Sequence, residues 1–228
     1  MIVIAEQVQG RIAEAYLGEY ASGKSENAVN RALYLKNHGR QVTLVDLDLV
    51  EPFYTLRPIK RELEAKGLSV VAWETKDTMG LGEAGSLMHP AMKWVLKRPG
   101  DIILDIGYGV KGCQVLNLVE GANEDPNLTV IAVINICRPV TSTVEDIIDY
   151  IQELGRVDAL LNNAYLGEDT TLDIIVQGEK IVRDVSAKLG IPLVATAVEE
   201  KFKGKVEDKL SPDIPIRYIS RFMPGGFW

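Results

Sequence analysis

The 228-residue sequence has only two cysteines and two histidines, no excess of positive charge and no long apolar run. Cys113 and Cys137 form no CxxC or CxC pair. Their scarcity argues against a disulfide framework or a Cys-rich zinc site and fits reduced thiols in a cytosol. His38 and His89 lie in different segments, so a zinc centre or a His-based triad lacks companions. His38 fits as a dipole partner at a helix end, and His89 as a loop residue. A formal net charge of −7 offers no global basic field for DNA, RNA or anionic lipid, and no nucleic-acid partner is expected. Met1–Glu6 has no basic segment and too short an apolar run for a signal peptide. No stretch approaches the roughly 20 apolar residues that span a bilayer. The expectation is a cytoplasmic protein with no stable membrane anchor. What is present is an ordinary globular composition, 46% hydrophobic and 25% charged, in a chain long enough to bury one sizeable core. With no repeat, low-complexity tract or linker, residues 1–228 read as a single domain.

Short apolar runs alternate with helical patterns. Strands are expected at 11–17, 41–47, 68–73, 101–106, 129–136, 159–162, 192–196 and 216–219. Helices are expected at 25–38, 59–66, 90–97, 144–154 and 172–189, the first two stopped by Gly39 and Gly67. Near-continuous Val/Ile/Leu strands between helices imply an α/β fold with a doubly wound, mostly parallel sheet covered by helices on both faces. Ligands of such sheets sit at the carboxyl ends of the strands.

The turn after the first strand reads Gly18-Glu19-Tyr20-Ala21-Ser22-Gly23-Lys24-Ser25, a match to GxxxxGK[ST] between a strand and a helix. Backbone N–H groups of such a loop point at phosphate oxygens, helped by the positive end of the following helix. Lys24 reaches the β/γ-phosphates, and the Ser25 hydroxyl is a ligand for Mg²⁺. The nucleotide-contacting segment therefore runs from Gly18 through Glu26 at the helix start. The strand at 41–47 ends in Val45-Asp46-Leu47-Asp48, and a doubly wound sheet places it beside the loop. Asp46 is then a Mg²⁺ ligand through water, and Asp48 orients or deprotonates the attacking water. Asp101–Ile106 leads into Gly107-Tyr108-Gly109, with Asp105 as a further Mg²⁺ partner and Gly107 offering a backbone N–H to the γ-phosphate.

These three segments, in this order, resemble the MinD/ParA/CobQ class of P-loop ATPases. Cys137-Arg138-Pro139-Val140-Thr141-Ser142-Thr143-Val144-Glu145-Asp146 is similar to that class's strand, Pro-containing loop and helix, and the resemblance covers most of the chain. It implies ATP and Mg²⁺ as cofactors, slow hydrolysis and a nucleotide-switched surface for a protein partner. It also implies an Asn at the end of a late strand against the adenine, here Asn162 in Leu160-Leu161-Asn162-Asn163-Ala164. The guanine-reading pattern Asn-Lys-x-Asp would need Lys at Asn163 and Asp at Tyr165, so ATP is expected. Asn162 and Asn163 also suit a turn.

Members that form nucleotide-sandwich dimers carry Lys after the first loop glycine, where this chain has Glu19. A homodimer stays compatible with the chain, but not through that lysine device. Small-molecule activation, as in dethiobiotin synthetase or cobyrinate amidation, and metallocofactor maturation through Cys113 share the resemblance and stay open. The switches are expected in the loops after Asp48 and after Asp105, with Glu51–Arg57 and Tyr108–Cys113 as candidate contact surfaces for the partner. The end of the sequence, with Phe222, Phe227 and Trp228, is expected to dock on the body or on a partner, because Pro224 and two glycines break a membrane helix.

Overall fold

The computed structural model describes residues 10–49, 56–73, 88 and 90–223. Eight strands form one sheet: β1 Ala13–Gly18, β2 Val42–Leu47, β3 Ser69–Val71, β4 Asp101–Ile106, β5 Leu128–Ile134, β6 Ala159–Asn162, β7 Leu193–Glu199 and β8 Ile216–Ile219. Their order is β3-β2-β4-β1-β5-β6-β7-β8, and each neighbouring pair is parallel. Among the described residues six helices accompany them: α1 Lys24–Asn37, α2 Lys60–Ala65, α3 Pro90–Lys93, α4 Gly109–Gln114, α5 Val144–Leu154 and α6 Leu172–Leu189.

The sheet is covered on both faces, so its central strands have no solvent side to alternate toward. Every residue of β1, β2 and β4 is buried. Along β1 the alternate residues serve different cores. Ala13, Ala15 and Leu17 pack against the face built by α5 and α6 through Ile147, Ile151, Val182 and Val185. Ile12 and Tyr16 pack with Ala28, Val29, Ala32 and Leu35 of α1 and Leu63 of α2. Between them, buried Glu14 is bonded by the Arg31 guanidinium of α1 (Nη2–Oε1 2.9 Å) and by the Tyr16 hydroxyl (2.7 Å). Arg217 of β8 donates to that same hydroxyl at 3.1 Å. Burying a carboxylate is tolerable where its charge is paired and its lone pairs are filled in this way.

Local signals set the outer helices. Thr143 and Asp146 form a capping box at the start of α5, while Thr171 caps α6 and Gly190 ends it in the left-handed region. Three expectations change. The helix expected over 90–97 stops at Lys93, whose carbonyl accepts from Glu120 N–H at 2.7 Å, and a tighter 3₁₀ turn at Val95–Lys97 follows. Strand β7 runs on to Glu199, because β8 pairs with it from Thr196 to Glu199. The loop expected after Asp105 is short, and the chain enters α4 at Gly109.

The order also corrects the neighbour of the loop. Strand β4, not β2, lies beside β1, and β2 stands one place further out. Asp46 and Asp105 are register partners across β2 and β4, so both acidic strand ends still face the loop from one side.

Candidate functional site

Gly18 closes β1, and the chain turns through residues 19–23 into α1. The turn is held by Ser22 N–H donating to Glu19 O at 3.1 Å. A Cβ at Gly18 would stand 2.6 Å from both Val133 O and Ser22 Oγ, so the loop packs directly on β5. Gly23 has φ +91° and serves as the α1 N-cap without a side-chain hydrogen bond. The first-turn N–H groups of α1 are thereby left for an anion. Two asparagines from neighbouring strand ends brace the loop. Asn163 Nδ2 donates to Ser22 O at 2.8 Å, and Asn163 Oδ1 accepts from Asn27 Nδ2 at 3.1 Å. Asn135 Nδ2 donates to Tyr165 O at 2.9 Å and reaches Ala21 O at 3.5 Å.

A cleft of about 1020 Å³, including its open mouth, lies over this loop. Tyr20, Ala21, Gly23, Lys24, Ser25 and Glu26 line it, as do Asp48, Tyr108, Arg138, Asn163 and Tyr165. Lys24 is buried beneath the ring of Tyr108, with Nζ 5.8 Å from the ring centroid. Tyr108 meets Tyr20 edge to face at 5.4 Å. The cleft thus has a basic end at Lys24, flanked by two aromatic rings.

Of the other residues expected at the nucleotide, Gly18, Glu19, Ser22, Gly107 and Asn162 stand behind the lining. The Glu19 carboxylate turns back to accept Tyr20 N–H at 2.8 Å. Asn162 is fully buried, and its Oδ1 accepts Ala164 N–H at 3.2 Å. The next residue, Asn163, is the one at the cleft. Glu26 does reach the cleft, but its carboxylate is occupied: it accepts N–H from Phe222 (3.0 and 2.9 Å) and from Met223 (2.9 Å). Arg138, missed as a site residue although it lies in a quoted motif, enters from the loop after β5.

The acidic strand ends make the second half of the site. Asp48 lines the cleft, and its N–H donates to Asp46 Oδ1 at 3.1 Å. Arg57 approaches Asp46 Oδ2 at 3.9 Å. Asp105 is completely buried, and neither carboxylate oxygen has a hydrogen-bond partner of good geometry. Burial pushes its pKa up to about 8; Lys24 opposes the rise, Asp46 adds to it, Ser25 opposes it and Asp48 adds to it. A buried carboxylate with two unfilled oxygens beside Ser25 suits a nearby divalent cation or its water shell, which would reverse the cost of charging it. The residues present therefore fit Mg²⁺: Ser25 would ligate it, with Asp46 and Asp105 behind.

Neither His38 nor Cys113 lines the cleft. The His38 ring bonds Tyr34 O at 2.7 Å at the end of α1. Burial pushes the Cys113 thiol up to about 11, with Lys24 opposing the rise, which disfavours a metal-ligating thiolate. His89, Phe227, Trp228 and most of Glu51–Arg57 lie outside the described residues.

Strand order, loop and acidic strand ends together decide the architecture. This is the P-loop NTPase fold. Solved structures agree with that assignment. The signal recognition particle receptor FtsY from Elizabethkingia anophelis superposes with a TM-score of 0.57 at 17% identity, over 86% of this chain and 61% of that one. FtsY from Thermotoga maritima gives 0.56 at 16%, over 83% and 62%. FlhF in complex with GTP and Mg²⁺ gives 0.53 at 12%, over 82% and 65%. The chain thus matches less than two thirds of each of these proteins. No protein-family model matches the chain, and no curated protein does. These neighbours carry the P-loop fold, while the MinD/ParA/CobQ resemblance rests on motifs alone. Among the described residues no helix is long and apolar enough to cross a membrane.

Proposed function

We propose that this chain is a Mg-ATP-binding P-loop switch that hydrolyses slowly and controls a protein partner. The observation that carries this reading is the convergence of Lys24, Ser25 and Asp48 on one cleft above the unpartnered carboxylate of Asp105. Lys24 and the loop N–H groups hold the phosphates. Ser25, with Asp46 and Asp105 behind it, holds Mg²⁺, which when bound neutralises charge on the phosphate oxygens. Asp48 orients the attacking water and accepts its proton. The two tyrosines exclude other water from the Lys24 end.

ATP is favoured over GTP by Tyr165, which stands where the guanine pattern needs a carboxylate that accepts from N1–H and the exocyclic amine. A second reading has one specific support: Glu199, whose Oε2 pairs with Lys201 Nζ at 2.9 Å, also lines the cleft and brings a carboxylate acceptor for a guanine from another strand. We assign the partner surface to the loops and helices that follow the carboxyl ends of the strands. Val110, Val140 and Leu166 follow the carboxyl ends of β4, β5 and β6, and each is more than a third exposed, which suits contacts that form and release with the nucleotide.

Hydrogen exchange tests the switch. Amides of residues 107–114, which start from the Asp105 strand end, are expected to exchange differently with ADP and with a non-hydrolysable ATP analogue. Identical exchange in the two states would leave a nucleotide-binding protein without a switch.

A further inference from the structure

The far end of the cleft is walled by the segment after β8, and the manner of its attachment is unusual. Ile219, Arg221 and Met223 line the cleft, and Ile219 and Met223 also pack against the α1-face core. Ser220 exchanges two hydrogen bonds with the Asn30 side chain, through N–H to Oδ1 and through O to Nδ2, each 2.8 Å. Phe222 packs into the core on the α1 face, with Lys66 Nζ 5.7 Å from its ring centroid. The segment is thus a strap tied to α1 that presents Ile219, Arg221 and Met223 to the cleft. Glu26 completes the hold by accepting both Phe222 and Met223 N–H. Glu26 and Asn30 are four residues apart and so share one face of α1. On its other side the strap reaches the loop after β6, where the Arg221 guanidinium lies 5.7 Å from the Tyr165 ring centroid and 3.5 Å from Glu168 Oε1.

The helix that receives phosphate at its N-terminus therefore also carries the opposite wall of the cleft, one residue after the Mg²⁺-ligating serine. That wall and its surroundings combine Tyr165, Ile219 and Met223 with the polar Asn163, Glu199 and Arg221. A flat apolar slot with a few convergent polar groups is the lining a heterocyclic base requires. We propose that residues 219–223 form the base-facing wall of the nucleotide site, and that Glu26 is the residue that positions this wall rather than a phosphate ligand.

This rests on the nucleotide reading above, so the test separates the two. Inorganic tripolyphosphate probes the phosphate end alone, whereas ATP or GTP, whichever binds the wild type more tightly, probes both ends. Calorimetry with Mg²⁺ gives the ratio of the two affinities. Glu26→Ala is expected to lower that ratio about tenfold, equivalent to one or two lost contacts. Glu26→Gln keeps Oε1, the oxygen that accepts from both amides, and is expected to restore most of the ratio. An unchanged ratio in Glu26→Ala would overturn the proposal. In the wild type, the Phe222 and Met223 amides are expected to gain more protection from the nucleoside triphosphate than from tripolyphosphate, a measurement that needs no variant. Equal protection by the two ligands would also overturn it. Failure of both ATP and GTP to bind the wild type would remove the nucleotide site itself, and the wall with it.

Discussion

Gly23→Ala is expected to lower stability by about 3 kcal/mol and nucleotide affinity on the order of 100-fold. Two costs combine. A non-glycine residue at φ +91° carries left-handed strain of roughly 1–2 kcal/mol. In addition, its Cβ would stand 2.1 Å from Asn163 Nδ2. That amide cannot swing away cheaply, because it holds Ser22 O and its Oδ1 holds Asn27. Moving it leaves buried polar groups without partners, which adds about 1–3 kcal/mol. The loop is released from the β6 end, and its N–H groups lose their common aim. Gly39→Ala separates the two costs, since Gly39 has φ +79° and nothing within 4 Å of an added Cβ. It is expected to show only the strain, about 1 kcal/mol, and unchanged nucleotide affinity. Denaturant midpoints and calorimetric titration of both variants check this; equal losses in the two would remove the role given to Asn163.

Asp105→Asn is expected to act with opposite sign on stability and on binding. Without a cation, Asp105 holds its proton up to a pH of about 8, whereas an unfolded aspartate loses it near 3.8. The folded state is then the more protonated one between these values, so the group's contribution to stability falls as pH rises through that window. Asparagine keeps the shape and removes the titration. The variant should therefore gain thermal stability over wild type at pH 7–8, and gain less at pH 4. The same change should weaken Mg-dependent nucleotide binding by roughly 10–100-fold, the usual cost of losing a carboxylate that supports a metal. Thermal melts across pH, paired with titrations with and without Mg²⁺, test both halves. A variant less stable than wild type at pH 7–8 would contradict the environment assigned to Asp105.

The parts of this site that were readable in the sequence are those whose chemistry is local. Gly18–Ser25 is contiguous, and its strand-loop-helix setting follows from flanking patterns that span a few residues. The acidic ends at Asp46, Asp48 and Asp105 are likewise written beside the apolar runs that carry them. What stayed hidden depends on contacts between distant residues. Asn163, rather than Asn162, faces the cleft because β6 ends where its side chain can reach Ser22, 141 positions away. Nothing in the Asn162-Asn163 pair distinguishes the two beforehand. Glu26 reads as part of the nucleotide-contacting segment until the strap, 196 positions later, is seen to occupy its carboxylate. The Glu14–Arg31 pair looks like ordinary surface charge until burial on the α1 face of β1 is known. Strand order is also a tertiary property, and only the folded sheet shows β4 lying between β1 and β2.

The central claim is that Gly18–Ser25 binds the phosphates of a Mg-nucleotide. Calorimetric titration of Mg-ATP and Mg-GTP into the wild type and into Lys24→Ala tests it most directly. Lys24 is buried at the loop, and the proposal assigns it the β/γ-phosphates. The account predicts saturable binding by the wild type, tighter for ATP than for GTP, and loss of that binding on the order of 100-fold in Lys24→Ala, about 2.7 kcal/mol. Equal affinity of wild type and Lys24→Ala, or no binding of either nucleotide by the wild type, would contradict it.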